Sequence, residues 1–244
     1  MISFVVLIPA RLASTRLPNK PIIDIMGESL IERTWGQAVK AVSKEKVYVL
    51  TDDEIIVTHC IVRGIQVVLT SKECLTGTDR IAEFAEKHPF DFYINVQGDE
   101  PLVNPIDIEK IIAELELNSE VILNGYTEIF EEEDFRSLTI PKVVFRPDGR
   151  LLYMSRGAVP NNKLDKFVKA YKQVCIYAFP RKSLLEFAFI KSKTSLEEIE
   201  DIEILRFLEM GYEVRMIELS GDSIAVDVPE DIDKVVQRLS QKHI

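Results

Sequence analysis

The chain is 244 residues long, 46% hydrophobic and 29% charged, with 10 glycines and 11 prolines. A chain of this size buries roughly 70% of its unfolded surface, which excludes a disordered or fibrous polymer and allows one large α/β domain, with or without a small insertion. A formal charge of −10 argues against gripping nucleic acid by counterion release and confines phosphate binding to a local basic cleft.

Three cysteines (Cys60, Cys74 and Cys175) are an odd number at unrelated spacings, which fits neither a disulfide framework nor a zinc pair and reads as buried thiols in a reducing compartment. The first residues lack a basic region followed by a long apolar one, and no apolar run approaches the roughly 18 residues that span a bilayer. The expectation is a cytoplasmic protein with neither membrane nor nucleic-acid partners.

The segment 2–8 is almost wholly apolar, as expected of a parallel strand buried on both faces, and it ends at Pro9. Leu30, Ile31, Trp35, Ala38, Val39 and Val42 then recur at helical spacing, and 46–50 reads as a second strand. The alternation continues with a helix over 55–62, a strand over 65–69, a helix over 78–87, a strand over 92–96 and a helix over 105–117. Such alternation predicts a mostly parallel sheet covered by helices on both sides. The middle changes character. Pro147-Asp148-Gly149-Arg150 is turn chemistry between the apolar runs 143–146 and 151–154, which predicts an antiparallel insertion. The acidic run Glu131 to Asp134 reads as a solvated helix start, and 161–172 as a polar loop. A strand over 174–179, a helix over 196–210, a strand over 213–219 and a closing helix over 229–239 complete the chain, with no internal repeat or low-complexity linker.

Three segments carry chemistry. The first βα connection, Pro9 to Pro21, places Arg11, Arg16 and Lys20 just past the carboxyl end of a buried strand, where open α/β sheets bind ligands. Such cations suit a triphosphate, although the loop lacks the Walker A pattern and by itself also fits a basic surface loop. Asn95 to Pro101 follows another apolar strand. Its Gly98 lets a ligand approach the backbone, and Asp99 is placed to hold Mg²⁺ on a phosphate. In Ala225 to Asp231 a strand end delivers Asp227 before a Pro-initiated helix, so two aspartates from distant strands could share one metal; either alone is commonly a helix cap. Gly77-Thr78-Asp79-Arg80 opens a helix whose amides and guanidinium suit an anion or a base edge, or is plain N-capping by Thr78.

Taken in order, these pieces resemble the 3-deoxy-manno-octulosonate (Kdo) cytidylyltransferases over nearly the whole chain. The resemblance rests on Ile8 to Arg11 with Ser14 to Pro18 and Lys20-Pro21, Thr51-Asp52-Asp53, Gly77 to Arg80, Asn95 to Pro101, Lys142 to Val144, Tyr153-x-Ser155-Arg156, Ile176-Tyr177, Leu196-Glu197-x-Ile199-Glu200 with Glu203 and Leu205-Arg206, and Val226-Asp227-x-Pro229-Glu230-Asp231. It implies a doubly wound, Rossmann-like nucleotidyltransferase sheet in one domain: a nucleotide half over 1–120, an insertion over about 121–210 for sugar binding and homodimer contact, and closing elements over 211–244. It implies that Pro9, Ala10, Arg11, Lys20, Thr51, Asp52, Gly77, Thr78, Arg80, Gln97 and Asp99 hold CTP. It further implies that Asp99 and Asp227 coordinate Mg²⁺, with Arg11 and Lys20 completing the catalytic set, and that Gln97, Arg156, Tyr177 and Glu203 face the sugar acid. Arg156 would pair with the sugar's carboxylate. Departures fall mostly in the sugar half: Gln173 stands where the family has a sugar-facing His, Ile204 where it has Gln, and Ile140-Pro141 where it has Pro-Asn, while in the closing segment Val228 stands where it has Thr. The expected activity is attack by the anomeric hydroxyl of a 3-deoxy 2-keto sugar acid on the α-phosphorus of CTP. The same chemistry on the 8-amino analogue of Kdo or another ulosonic acid, and a nucleotide-binding module without turnover, are the alternatives.

Overall fold

The computed structural model describes residues 2–13 and 16–241; Ser14 and Thr15, part of the basic loop's motif, lie outside the described residues. In chain order the elements are β1 (Phe4–Pro9), β2 (Asp24–Ile25), β3 (Glu28–Ser29), α1 (Leu30–Ala41), β4 (Val47–Thr51), α2 (Glu54–Val62), β5 (Val67–Leu69), α3 (Gly77–Lys87), β6 (Phe92–Val96) and α4 (Pro105–Ala113). They continue with β7 (Ile122–Ile129), α5 (Glu132–Arg136), β8 (Lys142–Phe145), β9 (Leu151–Ser155), β10 (Ala170–Pro180), α6 (Arg181–Phe189), α7 (Ser195–Glu200), α8 (Ile204–Glu209), β11 (Val214–Glu218) and α9 (Pro229–Gln241).

The main sheet runs β11-β7-β10-β6-β1-β4-β5. The apolar β1 sits between β6 and β4 and is parallel to both, as a strand buried on two faces should be. β11 is parallel to β7, and β10 alone runs against its neighbours β6 and β7. The expected antiparallel insertion is therefore the β8–β9 hairpin, which hangs from the first half of β10 through Tyr171 and Lys172.

One face of the sheet packs Tyr93 and Phe179 against Phe84 of α3, Phe187 of α6 and Phe207 of α8. The other packs Val6, Ile8 and Ile94 against Ile31 of α1, Ile56 of α2 and Ile111 of α4. A smaller core joins Leu17 and Ile25 to Val226 and to Val235 of α9, which brings the closing segment against the basic loop.

Four expectations need correction. The single helix over 196–210 is two, α7 and α8, because Asp201 takes a left-handed conformation (φ 51°) that ends the first. The helix over 105–117 stops at Ala113, and residues 114–120 continue in turns. The loop over 161–172 ends at Ala170, where β10 begins. The segment carrying Asp227 is irregular rather than a strand, and it is held by the Val226 N–H donating to the Asp99 carbonyl at 2.9 Å.

Candidate active site

The carboxyl ends of β1 and β6 open into a cleft of about 720 Å³, lined by the basic loop and by Asp201 and Glu203. Two strand ends meet here because Gly98 lies against β1: a Cβ at Gly98 would stand 2.6 Å from the Pro9 carbonyl oxygen. Thr34 of α1 donates to the Gly98 carbonyl and fixes the turn from below. Gly98→Ala should therefore cost about 1 to 3 kcal/mol of stability by overpacking, read as a lower melting temperature, and lower turnover by displacing Asp99.

Asp99 and Asp227, 128 positions apart in sequence, share one cation. The Lys20 ammonium donates to Asp99 Oδ2 at 2.8 Å and to Asp227 Oδ1 at 3.1 Å, and Arg16 donates to the same Asp227 oxygen at 3.0 Å. Burial works to lower the Lys20 pKa, but the carboxylates of Asp99 and Asp227 more than offset it and hold it above the usual lysine value. Asp107, buried in the first turn of α4, accepts from the N–H and hydroxyl of Ser220 and anchors the start of the Asp227 segment. Asp231 accepts from the N–H groups of Asp227 and Val228 and fixes its end. Behind Asp99, Glu100 is pushed up to about 7 by burial and by the neighbouring Asp99 charge.

The N-terminus of α3 is already occupied. Glu203, partly buried, accepts from the Gly77 N–H at 3.2 Å and from the Thr78 N–H at 2.9 Å, and the Thr78 hydroxyl donates to it as well. Burial raises the pKa of Glu203, opposed by these bonds from Thr78 and Gly77. Thr76, rather than Thr78, is the N-cap, in a capping box with Asp79. Arg80 faces the cleft with its guanidinium tethered to Asp52 at 3.1 Å and to the Thr70 hydroxyl at 2.6 Å. Asp52 thus positions Arg80, while Thr51 is fully buried and its hydroxyl accepts from the Asp53 N–H.

Of the residues expected at the sugar acid, Gln97 and Glu203 line the cleft. Gln173 and Tyr177 do not. Gln173 donates to Tyr177 and to Asn124, both at 3.0 Å, within a partly buried polar cluster at the β10 bulge. Ile204 does not either, because its side chain lies in the core beside Leu205 and Phe207. Arg156 sits one layer back, with its guanidinium donating to the carbonyls of Leu138, Thr139, Glu200 and Asp201. Its motif partner Glu200 accepts from Tyr153, Ser155 and the Arg156 N–H, so Tyr153-x-Ser155-Arg156 and the end of α7 form one latch.

A family model described as Cytidylyltransferase matches residues 5–219. A 3-deoxy-manno-octulosonate cytidylyltransferase of Geobacter metallireducens is 40% identical, with 98% of each chain covered. The chain belongs to the 3-deoxy-manno-octulosonate cytidylyltransferase family. A mitochondrial member from Arabidopsis thaliana is 32% identical over 98% of this chain and 83% of its own. Among solved structures, a CMP:2-keto-3-deoxy-manno-octonic acid synthetase complexed with CTP superposes with a TM-score of 0.91 at 29% identity, covering 98% of this chain and 99% of that one. Within the family's fold, two cleft residues carried no motif in the sequence. Lys193 and Asp201 form a 2.6 Å ion pair at the rim, from a segment whose polar composition reads only as surface.

Proposed function

We propose that the chain transfers CMP from CTP to Kdo, giving CMP-Kdo and pyrophosphate for lipopolysaccharide or surface-polysaccharide synthesis. The observation that carries this reading is the convergence of Asp99, Asp227 and Lys20 at the strand ends, in a chain so similar along its whole length to named Kdo cytidylyltransferases.

The residues fit Mg²⁺: two carboxylates already close on one cation, and a hard dication that keeps waters and takes further oxygens from a substrate phosphate needs no larger protein cage. Bound there, the metal would neutralise charge on the α-phosphate. Arg11, Arg16 and Lys20 hold the triphosphate, Arg80 and the Gly77 end of α3 border the nucleoside, and Gln97 and Glu203 hydrogen-bond the acceptor's hydroxyls. Arg156 acts from behind by fixing the Asp201 carbonyl. Positioning and charge neutralisation supply most of the rate of such a transfer.

The chain works as one domain with its nucleotide half over 1–120, its acceptor half over about 121–210 and closing elements beyond. Exposed Phe130, Leu164 and Val168 in the acceptor half support a homodimer contact there. Among the described residues no helix is long and apolar enough to cross a membrane, and the cytoplasm, where CTP is made, is the proposed compartment. A second reading, the 8-amino analogue as acceptor, rests on Gln173, which stands where the family resemblance places a His and which, behind the cleft lining, donates to Tyr177. Incubation with CTP, Mg²⁺ and each sugar acid while pyrophosphate is measured separates the two. Kdo should give the faster release; preference for the amino sugar selects the second reading, and silence with every acid refutes both.

A further inference from the structure

Lys20 reaches the two carboxylates from a short, stiff piece of chain. Asn19 precedes it in a left-handed conformation (φ 56°), Pro21 follows it and is buried, and Leu17 three residues earlier is anchored in the core with Val226 and Val235. The Lys20 side chain is 17% exposed, against 58% for Arg16, so it is the ammonium and not the guanidinium that is set into the carboxylate pair. Two carboxylates brought this close repel unless a cation lies between them, and here a residue of the chain supplies that cation.

We propose that Lys20 is a built-in placeholder for the metal: its ammonium keeps Asp99 and Asp227 paired and closed to a divalent cation until a triphosphate draws it away. The proposal rests on the assignment of both aspartates to Mg²⁺. A free dication must displace both Lys20 ion pairs, and compete with Arg16 at Asp227, to gain the site, whereas a polyanion arriving beside the loop offers the cations other oxygens and leaves the carboxylates to the metal. Metal and nucleotide affinities are then coupled, and linkage requires the coupling to act in both directions. Lys20 is thereby a positioning residue as well as a phosphate ligand.

The test is direct binding of Mn²⁺ without nucleotide, read from the loss of the hexaaquo Mn²⁺ EPR signal, with circular dichroism confirming the fold of each variant. Lys20→Met should bind Mn²⁺ at least about tenfold more tightly than the wild-type chain, in the range of ordinary coupling energies. Lys20→Gln gives the same readout should the Met variant fold poorly, and Lys20→Arg, which keeps a cation, should not gain affinity. The gain in Lys20→Met should vanish when Asp99→Asn is added. If neither neutral variant binds more tightly than wild type, or if Lys20→Arg gains as much as they do, the placeholder role is overturned. The metal assignment is read separately, in the wild-type chain with a non-hydrolysable CTP analogue. Enhanced Mn²⁺ binding there that survives Asp99→Asn and Asp227→Asn overturns the assignment, and with it the placeholder.

Discussion

Asp99→Asn should lower turnover by roughly a thousandfold, the scale seen when a group that stabilises transition-state charge is removed. The change keeps the backbone carbonyl that accepts from Val226, so the two segments stay joined. It removes only the charge facing Lys20 and the proposed metal. The ion pair lost is partly solvated, with the Asp99 side chain 29% exposed, and its contribution to stability should stay within about 1 kcal/mol. Steady-state pyrophosphate release and a thermal melt together decide the matter. A large fall in kcat with an unchanged melt supports the metal role, whereas a few-fold loss with a lowered melt would mark Asp99 as a structural partner of Lys20.

Arg206→Met should be the most damaging single change to the fold. Arg206 is fully buried and grips the equally buried Glu197 through two bonds of 2.6 and 2.7 Å, bonds Asp79 at 3.1 Å, and lies over the Phe187 ring. Removing it leaves the Glu197 carboxylate charged and unpaired inside the protein, at a cost of about 3 to 5 kcal/mol. For a domain of this size that is a fall of roughly 6 to 20 °C in melting temperature. Arg206→Lys should recover little, since an ammonium cannot reproduce the planar two-bond grip. The double change with Glu197→Leu should recover much of the loss, because no charge is then stranded. Failure of the double variant to rise above Arg206→Met would assign the effect to packing against Phe187 instead.

How far the sequence reveals these features depends on whether a signal is local. The parallel strands β1, β4 and β6 are short apolar runs bounded by turn chemistry, and each lies within a residue or two of where composition puts it. β7 is invisible in the same reading because Asn124-Gly125 at its centre is a turn signal. The structure shows what that pair does there: the Asn124 amide donates to the Val174 and Ile176 carbonyls across the β10 bulge, and a Cβ on Gly125 would stand 2.4 Å from Leu219. Tertiary contacts, absent from any local window, override the propensity. The helix α6 is missed for a related reason, since Pro180 precedes it with no capping side chain. In the site, Arg11, Lys20, Asp99 and Asp227 stand out because each ends a recognisable pattern. Lys193 and Asp201 do not, and the retreat of Ile204 into the core and of Arg156 behind the rim depends on a break in the chain at Asp201 that no residue pattern announces.

The position of Glu203 on the first amides of α3 gives the cleft a direction. Helix N-termini commonly attract phosphate, but here a carboxylate of the chain itself holds that end and the neighbouring Asp201 is paired with Lys193, while Arg16 and Lys20 sit against Asp99 and Asp227 at the strand ends. With its first N–H groups taken by Glu203, the α3 end offers a polyphosphate no anion site, which favours seating the phosphates at the basic loop. The same occupancy removes an anchor for a second triphosphate beside the proposed acceptor site, so excess nucleotide should inhibit the reaction weakly or not at all.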